Sequence, residues 1–358
     1  MQAAKMTRAQ YGVLIAAMAL AAAALVWMGQ SPDPAAASQA QPPTQGHHAP
    51  PPTKGSETFQ FTYPDQKRLP AELVFDPTPP PPPPKDKKVH EYTLVVEEGV
   101  EHEVAPGIKI AAWTFNGQVP GPILRGREGD VMRITLVNKG TQPHTIHFHG
   151  VHPAQMDGVF ELVPPGGSFT YEFVANPYGV FPYHCHSNPA SKHIHNGLYG
   201  MMIIDPREDR PPMRELSMVM SAFDLDRDGD ADFYAWNGRA FQYADHPIDL
   251  QQGEPVRMYV LNIFEEMMAP HIHGNMFQLY RSGTSTKPHE LTDVVSLGIA
   301  ERAILEFKYD YPGPYMFQCH FSEHMELGLM GWFRVNGTEK KADASPAKPA
   351  AAAGHAGH

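Results

Sequence analysis

Residues 181–200, FPYHCHSNPASKHIHNGLYG, decide the fold, and they centre on His184, Cys185 and His186. The aromatic residues and the flanking Pro and Gly predict a β-strand, in which successive side chains point to opposite faces. The two imidazoles then face one way and the thiol faces the other. One tripeptide can therefore hold metals on both faces, a few covalent bonds apart, which suits a protein that moves electrons between two centres.

The composition favours an exported protein and excludes a nucleic-acid-binding one. The 358 residues carry a formal net charge of -11 and include 20 histidines, without a concentrated basic stretch. Lys5 and Arg8 precede an uncharged run over 11–29, which predicts an export signal or a retained membrane anchor within residues 1–40. We therefore expect a periplasmic or other extracytoplasmic location, with the protein secreted or anchored through its N-terminus.

The two cysteines, Cys185 and Cys319, are interpreted as metal thiolates. In an exported chain two cysteines would by default form a disulfide. Here both stand in similar settings, YHCHS and FQCHF, and each is followed directly by a histidine. Thiolate and imidazole are the ligands expected of a copper electron-transfer site.

The chain is organised as two β-sandwich domains behind a proline-rich segment. Residues 41–88 include six consecutive prolines and predict a stiff, extended linker. Short β-branched and aromatic runs between Pro- and Gly-rich turns then predict all-β sandwiches over 89–206 and 212–336. The two segments share one layout, which indicates an internal duplication. Residues 337–358, rich in Ala, Lys, Pro and Gly, predict a disordered tail.

An acidic segment in domain two, residues 224–232, has the spacing with which an EF-hand calcium loop begins. The bidentate Glu expected at the twelfth position is missing, because Ala235 stands there. No helical pattern flanks the segment. We expect an acidic turn, and a weak calcium site is the alternative.

Most of the histidines of interest occur in pairs separated by one residue, which a strand places on one face. Three pairs are His-X-His and one is Gln-X-His. Seven histidines in such pairs predict metal binding in preference to ordinary core packing. The pairs are His147 with His149, His184 with His186, His271 with His273, and Gln318 with His320.

A separate set, Cys185 with His144 and His193, provides one thiolate and two imidazoles. This is the ligand set of blue-copper electron-transfer sites. A structural zinc site would require a closed tetrahedral set, usually with more thiolates. The set therefore predicts copper.

Residues 89–335 resemble the two-domain multicopper oxidases, laccase-like proteins that share their architecture with the copper nitrite reductases. The resemblance rests on WTFNGQVPGPILRGREGD, HTIHFHG, MDGV, PPGGSFTYEF, YHCH and CHFSEHMELGLMG. It implies two cupredoxin-like Greek-key sandwiches, a type 1 copper that accepts electrons and a trinuclear cluster that reduces dioxygen to water. It also implies four coppers per chain and a homotrimer, in which domain one of one subunit faces domain two of the next.

The resemblance implies a role for each candidate ligand. The type 1 copper would be held by His144, Cys185 and His193, and the type 2 copper by His147 and His271. The binuclear type 3 pair would be held by His149, His184, His186, His273 and His320. His195 competes with His193 for the last type 1 place, and the family spacing to the following glycines favours His193. Asp157 in MDGV matches an acidic residue that assists proton delivery, and a simple turn residue is the alternative.

The two thiol-containing regions depart from the family pattern. Leu198 stands where the family often has an axial methionine, which predicts a high reduction potential because Cu(I) then loses less stabilisation than Cu(II). In domain two, Met268 replaces the type 1 histidine and Leu329 takes the axial place. Cys319 and His324 remain there, as a relic packed in the core or as a degenerate copper site.

The choice between enzyme classes rests on a few positions. In copper nitrite reductases the residue matching His147 is an aspartate, and the residue matching His186 is not a histidine. Both imidazoles are present here, which favours dioxygen chemistry with a phenol-like, metal-ion or redox-protein donor. Gln318 stands in place of a type 3 histidine, so occupancy of the whole cluster stays open. The alternatives are a nitrite reductase and a non-catalytic copper or electron carrier.

Overall fold

The computed structural model describes residues 68–337, which all belong to one compact unit. The predicted export signal over 1–40, most of the predicted linker and all of the predicted tail after residue 337 lie outside these residues. Among the helices of the described part, none is long and apolar enough to cross a bilayer.

The described residues form two groups of strands joined by short turns. Domain one contains β1 (Val89–Ala105), β2 (Ile108–Phe115), β3 (Leu124–Arg127), β4 (Val131–Asn138), β5 (His147–Phe148), β6 (Ser168–Val174), β7 (Gly179–His184) and β8 (Tyr199–Asp205). Domain two contains β9 (Arg214–Phe223), β10 (Phe233–Trp236), β11 (Ile248–Gln251), β12 (Val256–Asn262), β13 (Pro270–Ile272), β14 (Phe277–Arg281), β15 (Glu290–Thr292), β16 (Arg302–Phe307), β17 (Gly313–Cys319) and β18 (Met330–Asn336). The short helices are α1 (Ala190–His195), α2 (Gln242–Asp245) and α3 (Ser322–Glu326), with 3-10 turns at Ala71–Leu73 and Ala154–Met156.

Each domain is a sandwich of two sheets, which confirms the all-β prediction. The sheets of domain one have the orders β2-β1-β4-β6 and β3-β8-β7-β5, and those of domain two have the orders β10-β9-β12-β16-β14-β15 and β11-β18-β17-β13. Strand β7 lies between β8 and β5 as β17 lies between β18 and β13, so the second sheets correspond strand for strand. Strand β4, VMRITLVN, shows the local cause, since its side chains alternate between buried and half-buried as expected for a sandwich.

Strands β7 and β8 are buried along their whole length. One face contributes to the core of domain one, and the other packs on domain two, where Met201 and Ile203 share a cluster with Tyr259 and Ile304. Burial on both faces explains why these segments read as continuous apolar and aromatic runs. The packing between the domains therefore holds the strand that leads into the His-Cys-His tripeptide.

The linker prediction needs correction for residues 68–88, because this part packs on the sandwiches. The carbonyl oxygen of Pro77 accepts hydrogen bonds from the N–H (2.7 Å) and hydroxyl (2.9 Å) of Ser217. Arg127 donates to the carbonyl oxygen of Pro83 at 3.1 Å. Prolines lack an N–H but keep a carbonyl acceptor, so a proline-rich strand can satisfy donors on a folded surface. The composition of the segment carries no information about those distant partners.

Arg125 joins the two domains through a buried ion network. Its guanidinium donates to Asp205 at 2.8 and 2.9 Å and to Glu215 at 2.7 and 3.1 Å. It also donates to the carbonyl oxygen of Pro80 in the packed segment. Asp205 ends β8, the last strand of domain one, and Glu215 lies in the first strand of domain two. One side chain, 2% exposed, therefore connects three parts of the chain.

We expect Arg125→Ala to lower the free energy of unfolding by about 3 to 5 kcal/mol, because it leaves the buried carboxylate of Asp205 without its cation. Denaturant titration measures the loss. Arg133→Ala is the matched control, since Arg133 is 41% exposed and pairs with Glu91 and Glu172 on the surface. It should cost only about 0 to 1 kcal/mol. Equal losses in the two variants would contradict a special role for the buried network.

Candidate metal centre

The tripeptide at the end of β7 presents two opposite faces. His184 and His186 lie on one side, with ring centroids 6.0 Å apart and ring planes inclined by 27°. The thiol of Cys185 points the other way, into the core of domain one, and is fully buried. The alternation predicted for an extended chain therefore holds at this position.

The thiol face brings together Cys185, His144 and His193. The Cys185 Sγ atom lies 3.2 Å from His193 Nδ1 and 3.6 Å from His144 Nδ1, and the two Nδ1 atoms are 3.1 Å apart. All three side chains are buried. Three donor atoms that converge in this way, one soft thiol sulfur and two imidazole nitrogens, form a suitable ligand set for a single copper ion.

Backbone hydrogen bonds around the thiol hold this set in place. His144 forms a bridge with Val163, with N–H to carbonyl distances of 3.0 and 2.9 Å. Helix α1 carries His193, and the chain after it returns so that Leu198 N donates to His193 O at 3.2 Å. Cys185 N donates to Leu198 O at 3.0 Å. Leu198 is fully buried, so an apolar residue stands in the predicted axial place.

His195, the alternative to His193 as the third ligand of the type 1 set, does not lie beside the Cys185 thiol. Its ring packs against Phe264 with centroids 5.1 Å apart. On a helix as short as α1, two residues separated by one position point in different directions. The structure therefore places His193, and not His195, beside the thiol.

Glu98 is a residue of this site that sequence reasoning missed. His144 Nε2 lies 2.8 Å from Glu98 Oε1, and the same carboxylate accepts from Thr141 Oγ1 at 2.6 Å. Burial acts to raise the pKa of Glu98, but the hydrogen bonds from Thr141 and His144 outweigh it and hold the pKa below its ordinary value. An ionised Glu98 keeps the proton on Nε2 and leaves Nδ1 of His144 free for a metal. Nothing in the sequence distinguishes Glu98 from the adjacent Glu97.

The opposite face carries four imidazoles of domain one. His147 pairs across the strands with His184, and its ring centroid lies 5.0 Å from His149, 5.3 Å from His184 and 5.4 Å from His186. Burial, reinforced by the neighbouring imidazoles, lowers the pKa of His149 to about 3. Burial lowers the pKa of His184 to about 4. Both rings are neutral at pH 7, the state in which imidazole binds metals.

Domain two presents a matching set of three imidazoles. The His271 ring centroid lies 4.8 Å from His273 and 5.2 Å from His320. Gln318 pairs with His271 across the strands, as His184 pairs with His147 in domain one. Within the described chain, the Gln318 Oε1 atom is buried and lacks a hydrogen-bond partner. The amide therefore occupies the place of the missing eighth imidazole.

An aspartate orients one imidazole in each set. His147 Nδ1 lies 2.8 Å from the backbone oxygen of Asp157 and 3.3 Å from its carboxylate. His271 Nδ1 lies 2.7 Å from the backbone oxygen of Asp293 and 3.8 Å from its carboxylate. Each carbonyl accepts the Nδ1 proton and leaves Nε2 free to bind a metal. Asp293 was missed because no motif marks it, and only the duplicated fold reveals it as the counterpart of Asp157.

The two imidazole sets do not meet within one chain. Among residues 68–337, no ring contact or hydrogen bond connects the domain-one set with the domain-two set. His186, His273 and His320 are exposed in the single chain.

The acidic segment forms a turn away from these sets. Carboxylate oxygens of Asp224, Asp226 and Asp228 lie within 4.8 Å of one another. The Asp224 carboxylate accepts from the N–H groups of Arg227 at 2.6 Å and Gly229 at 3.1 Å. The segment therefore forms the expected acidic turn, and a weak calcium site there stays the alternative.

We expect the metal-free protein to lose stability as the pH falls below about 6.5. Burial lowers the pKa of His184 and His193 to about 4, so the unfolded chain, with ordinary histidine pKa values near 6.5, takes up protons first. The free energy of unfolding then falls with pH between these values. Denaturant titration of metal-free protein at pH 7, 6 and 5 measures it, and His184→Gln should flatten the slope. A constant free energy over this window would contradict the prediction.

Comparison with known proteins agrees with this geometry. Residues 99–209 and residues 209–339 each match a family model described as multicopper oxidase. The chain is 30% identical over 273 residues to a copper-containing nitrite reductase of Neisseria meningitidis serogroup B, covering 70% of this chain and 67% of that protein.

Two solved structures extend the similarity to three dimensions. One described as a multicopper oxidase is 42% identical, with a TM-score of 0.70, covering 75% of this chain and 100% of that one. A copper nitrite reductase from Nitrosomonas europaea is 27% identical, with a TM-score of 0.65, covering 70% of this chain and 94% of that one. Both sandwiches therefore have the cupredoxin-like fold that the resemblance implied. Together with the two family matches, they show that this chain belongs to the multicopper oxidase family.

Proposed function

We propose that the protein is an oxidase that couples one-electron oxidation of a reductant to four-electron reduction of dioxygen to water. The observation that carries the proposal is the number of imidazoles opposite the thiol, four in domain one and three in domain two. A single type 2 copper, as in the nitrite reductases that the chain resembles, does not need all of them. His147 and His186 are the surplus ligands in domain one.

The donor sets fit copper at both places. His144, Cys185 and His193 would hold a type 1 copper, and the two imidazole sets would hold the type 2 and type 3 coppers. When bound, these ions would supply the electron transfer and the dioxygen chemistry. The full complement would be four coppers per chain. The copper content should be measured because Gln318 stands in place of a type 3 histidine.

The chain's own contribution begins with exclusion of water from the thiol site. The Trp113 ring meets His193 edge-on at 4.9 Å and His144 edge-on at 5.5 Å. The ammonium of Lys192 lies 5.0 Å from the Trp113 ring centre and covers its outer face. These contacts and the burial of all three donor residues shield the thiolate side from solvent, which would limit reorganisation when the charge at the site changes.

The aspartates beside the imidazole sets would supply protons to the proposed reaction. The Asp157 carboxylate is 31% exposed, 3.3 Å from His147 Nδ1 and 3.8 Å from His152 Nε2. It can hold a proton taken from solvent next to the cluster, as the resemblance implies. Asp293, 52% exposed, has the corresponding position beside His271.

The separation of the two imidazole sets supports the predicted homotrimer. A closed ring places domain one of each subunit against domain two of the next, and every interface then combines four imidazoles with three. This arrangement would also cover the side chains of His186, His273 and His320, which are exposed in a single chain.

An oxygen electrode with phenols, Cu(I) or Fe(II) as donors tests the proposed reaction. We expect oxygen consumption, and no nitric oxide when nitrite replaces oxygen. Cys185→Ser should abolish both the blue colour and turnover because it removes the thiolate of the type 1 set. Cys319→Ser, which changes the other buried cysteine, should leave the blue colour. Nitric oxide production without oxygen consumption would identify a nitrite reductase, and a blue protein without either activity would identify an electron carrier.

Mixed assemblies test where the cluster lies. His147→Ala and His271→Ala chains should each be inactive alone, since each damages one half of the imidazole set. Co-assembly should restore activity, because about a quarter of the interfaces in a random trimer combine two intact halves. Light scattering checks the trimer in parallel. An active monomer, or mixed trimers that keep the blue type 1 colour but remain inactive, would contradict the inter-subunit cluster.

A further inference from the structure

Domain two repeats the backbone frame that surrounds the type 1 set. Cys319 N donates to Leu329 O at 3.0 Å, and Leu329 N donates to His324 O at 2.8 Å. The corresponding hydrogen bonds around Cys185 are 3.0 and 3.2 Å long. His324 lies on α3 as its counterpart lies on α1. The thiol and one imidazole of domain two are therefore held as they are in domain one.

Met268 occupies the place of His144 in this frame. It forms a bridge with Leu297, with N–H to carbonyl distances of 3.0 and 2.8 Å, as His144 does with its own partner at 3.0 and 2.9 Å. The next N–H, of Ala269, points at Cys319 Sγ from 3.2 Å. The matching N–H of domain one lies 3.5 Å from its thiol. Met268 therefore occupies the chain position that corresponds to the missing imidazole.

The thiol of Cys319 and the imidazole of His324 have a spacing that suits a metal ion. His324 Nδ1 lies 3.4 Å from Cys319 Sγ, between the 3.2 and 3.6 Å found at the Cys185 thiol. Cys319 and Met268 are fully buried, and His324 is 6% exposed. The Tyr234 ring stacks on His324 at 3.9 Å with planes inclined by 13°, which fixes the imidazole plane.

We propose that Met268, Cys319 and His324 form a further copper site, which binds Cu(I) and contributes no blue colour. A thioether, a thiolate and a single imidazole are a soft set that favours Cu(I) over Cu(II). The thiol proton leaves as Cu(I) binds, so the site remains neutral. The surroundings are the apolar core of domain two, including the fully buried Leu329, where a net charge would be costly.

The carboxylates beside the two sites explain why the domain-two site would favour Cu(I), the copper ion of lower charge. Glu98, at the His144 imidazole, is 12% exposed and can offset the additional charge of Cu(II). In domain two the carboxylate of Glu266 lies 3.4 Å from Nε2 of His324, the counterpart of His193, and is 41% exposed. It already accepts the Tyr234 hydroxyl at 2.7 Å. Solvent screens this carboxylate, so it offsets a buried charge less well.

Anaerobic titration of the purified, reduced full chain with Cu(I), added as its acetonitrile complex against a chromogenic Cu(I) chelator, tests the site. Cys319→Ser should bind one Cu(I) fewer than the unaltered protein, while its blue absorbance after reoxidation stays the same. Met268→Leu keeps an apolar side chain of similar size and should weaken that one Cu(I) by about tenfold or more. Met258→Leu, at another buried methionine of the same core, is the matched control and should leave all Cu(I) binding unchanged.

The outcomes separate this site from the proposed oxidase activity, because the readout is a copper count and an affinity. Equal Cu(I) binding by the unaltered protein and a folded Cys319→Ser variant would overturn the site. If Cys319→Ser does not fold, Met268→Leu decides alone, and unchanged Cu(I) affinity there would overturn the site. A chain that binds the additional Cu(I) but consumes no oxygen would refute the oxidase proposal and leave this site standing.

Discussion

The arrangement of donors in domain one depends on one constraint, the alternation of side chains at the end of strand β7. It puts the Cys185 thiol on one face and the imidazoles of His184 and His186 on the other, with only peptide bonds between them. A shift of register by one residue would exchange the two faces and destroy both donor sets. The strand is buried on both sides, by its own sandwich and by domain two, so such a shift would also break the packing between the domains.

The two domains repeat one backbone arrangement around a buried cysteine, and they differ in the side chains placed on it. Both copies hold a thiol and an imidazole with closely similar hydrogen bonds and sulfur–nitrogen distances. The first copy adds His144 and the carboxylate of Glu98, which is only 12% exposed and would offset the higher charge of Cu(II). The second adds Met268 and an exposed carboxylate, a set suited to Cu(I). In the proposed copper sites, small changes in ligand softness and burial would give one fold two different redox preferences.

The packing between the domains keeps the two imidazole sets of a single chain apart. The buried network of Arg125 and the proline-rich segment bind the two sandwiches together, so neither can turn to bring its imidazoles toward the other. The unpaired sets are then available to a second copy of the chain. The exposure of His186, His273 and His320 in a single chain supports the proposed cluster shared between subunits.

The sequence by itself determined the all-β class, the two domains, the candidate metal-binding residues and the departures at Leu198, Met268 and Gln318. These follow from local chemistry, because residue type and a spacing of two positions decide which side chains share a face of a strand. Only the tertiary structure decided the roles of Glu98 and Asp293 and the packing of residues 68–88. Those features rest on contacts between segments far apart in the chain, such as Glu98 with His144, 46 residues away. Local patterns cannot encode such contacts, since they exist only once both sandwiches have folded and packed together.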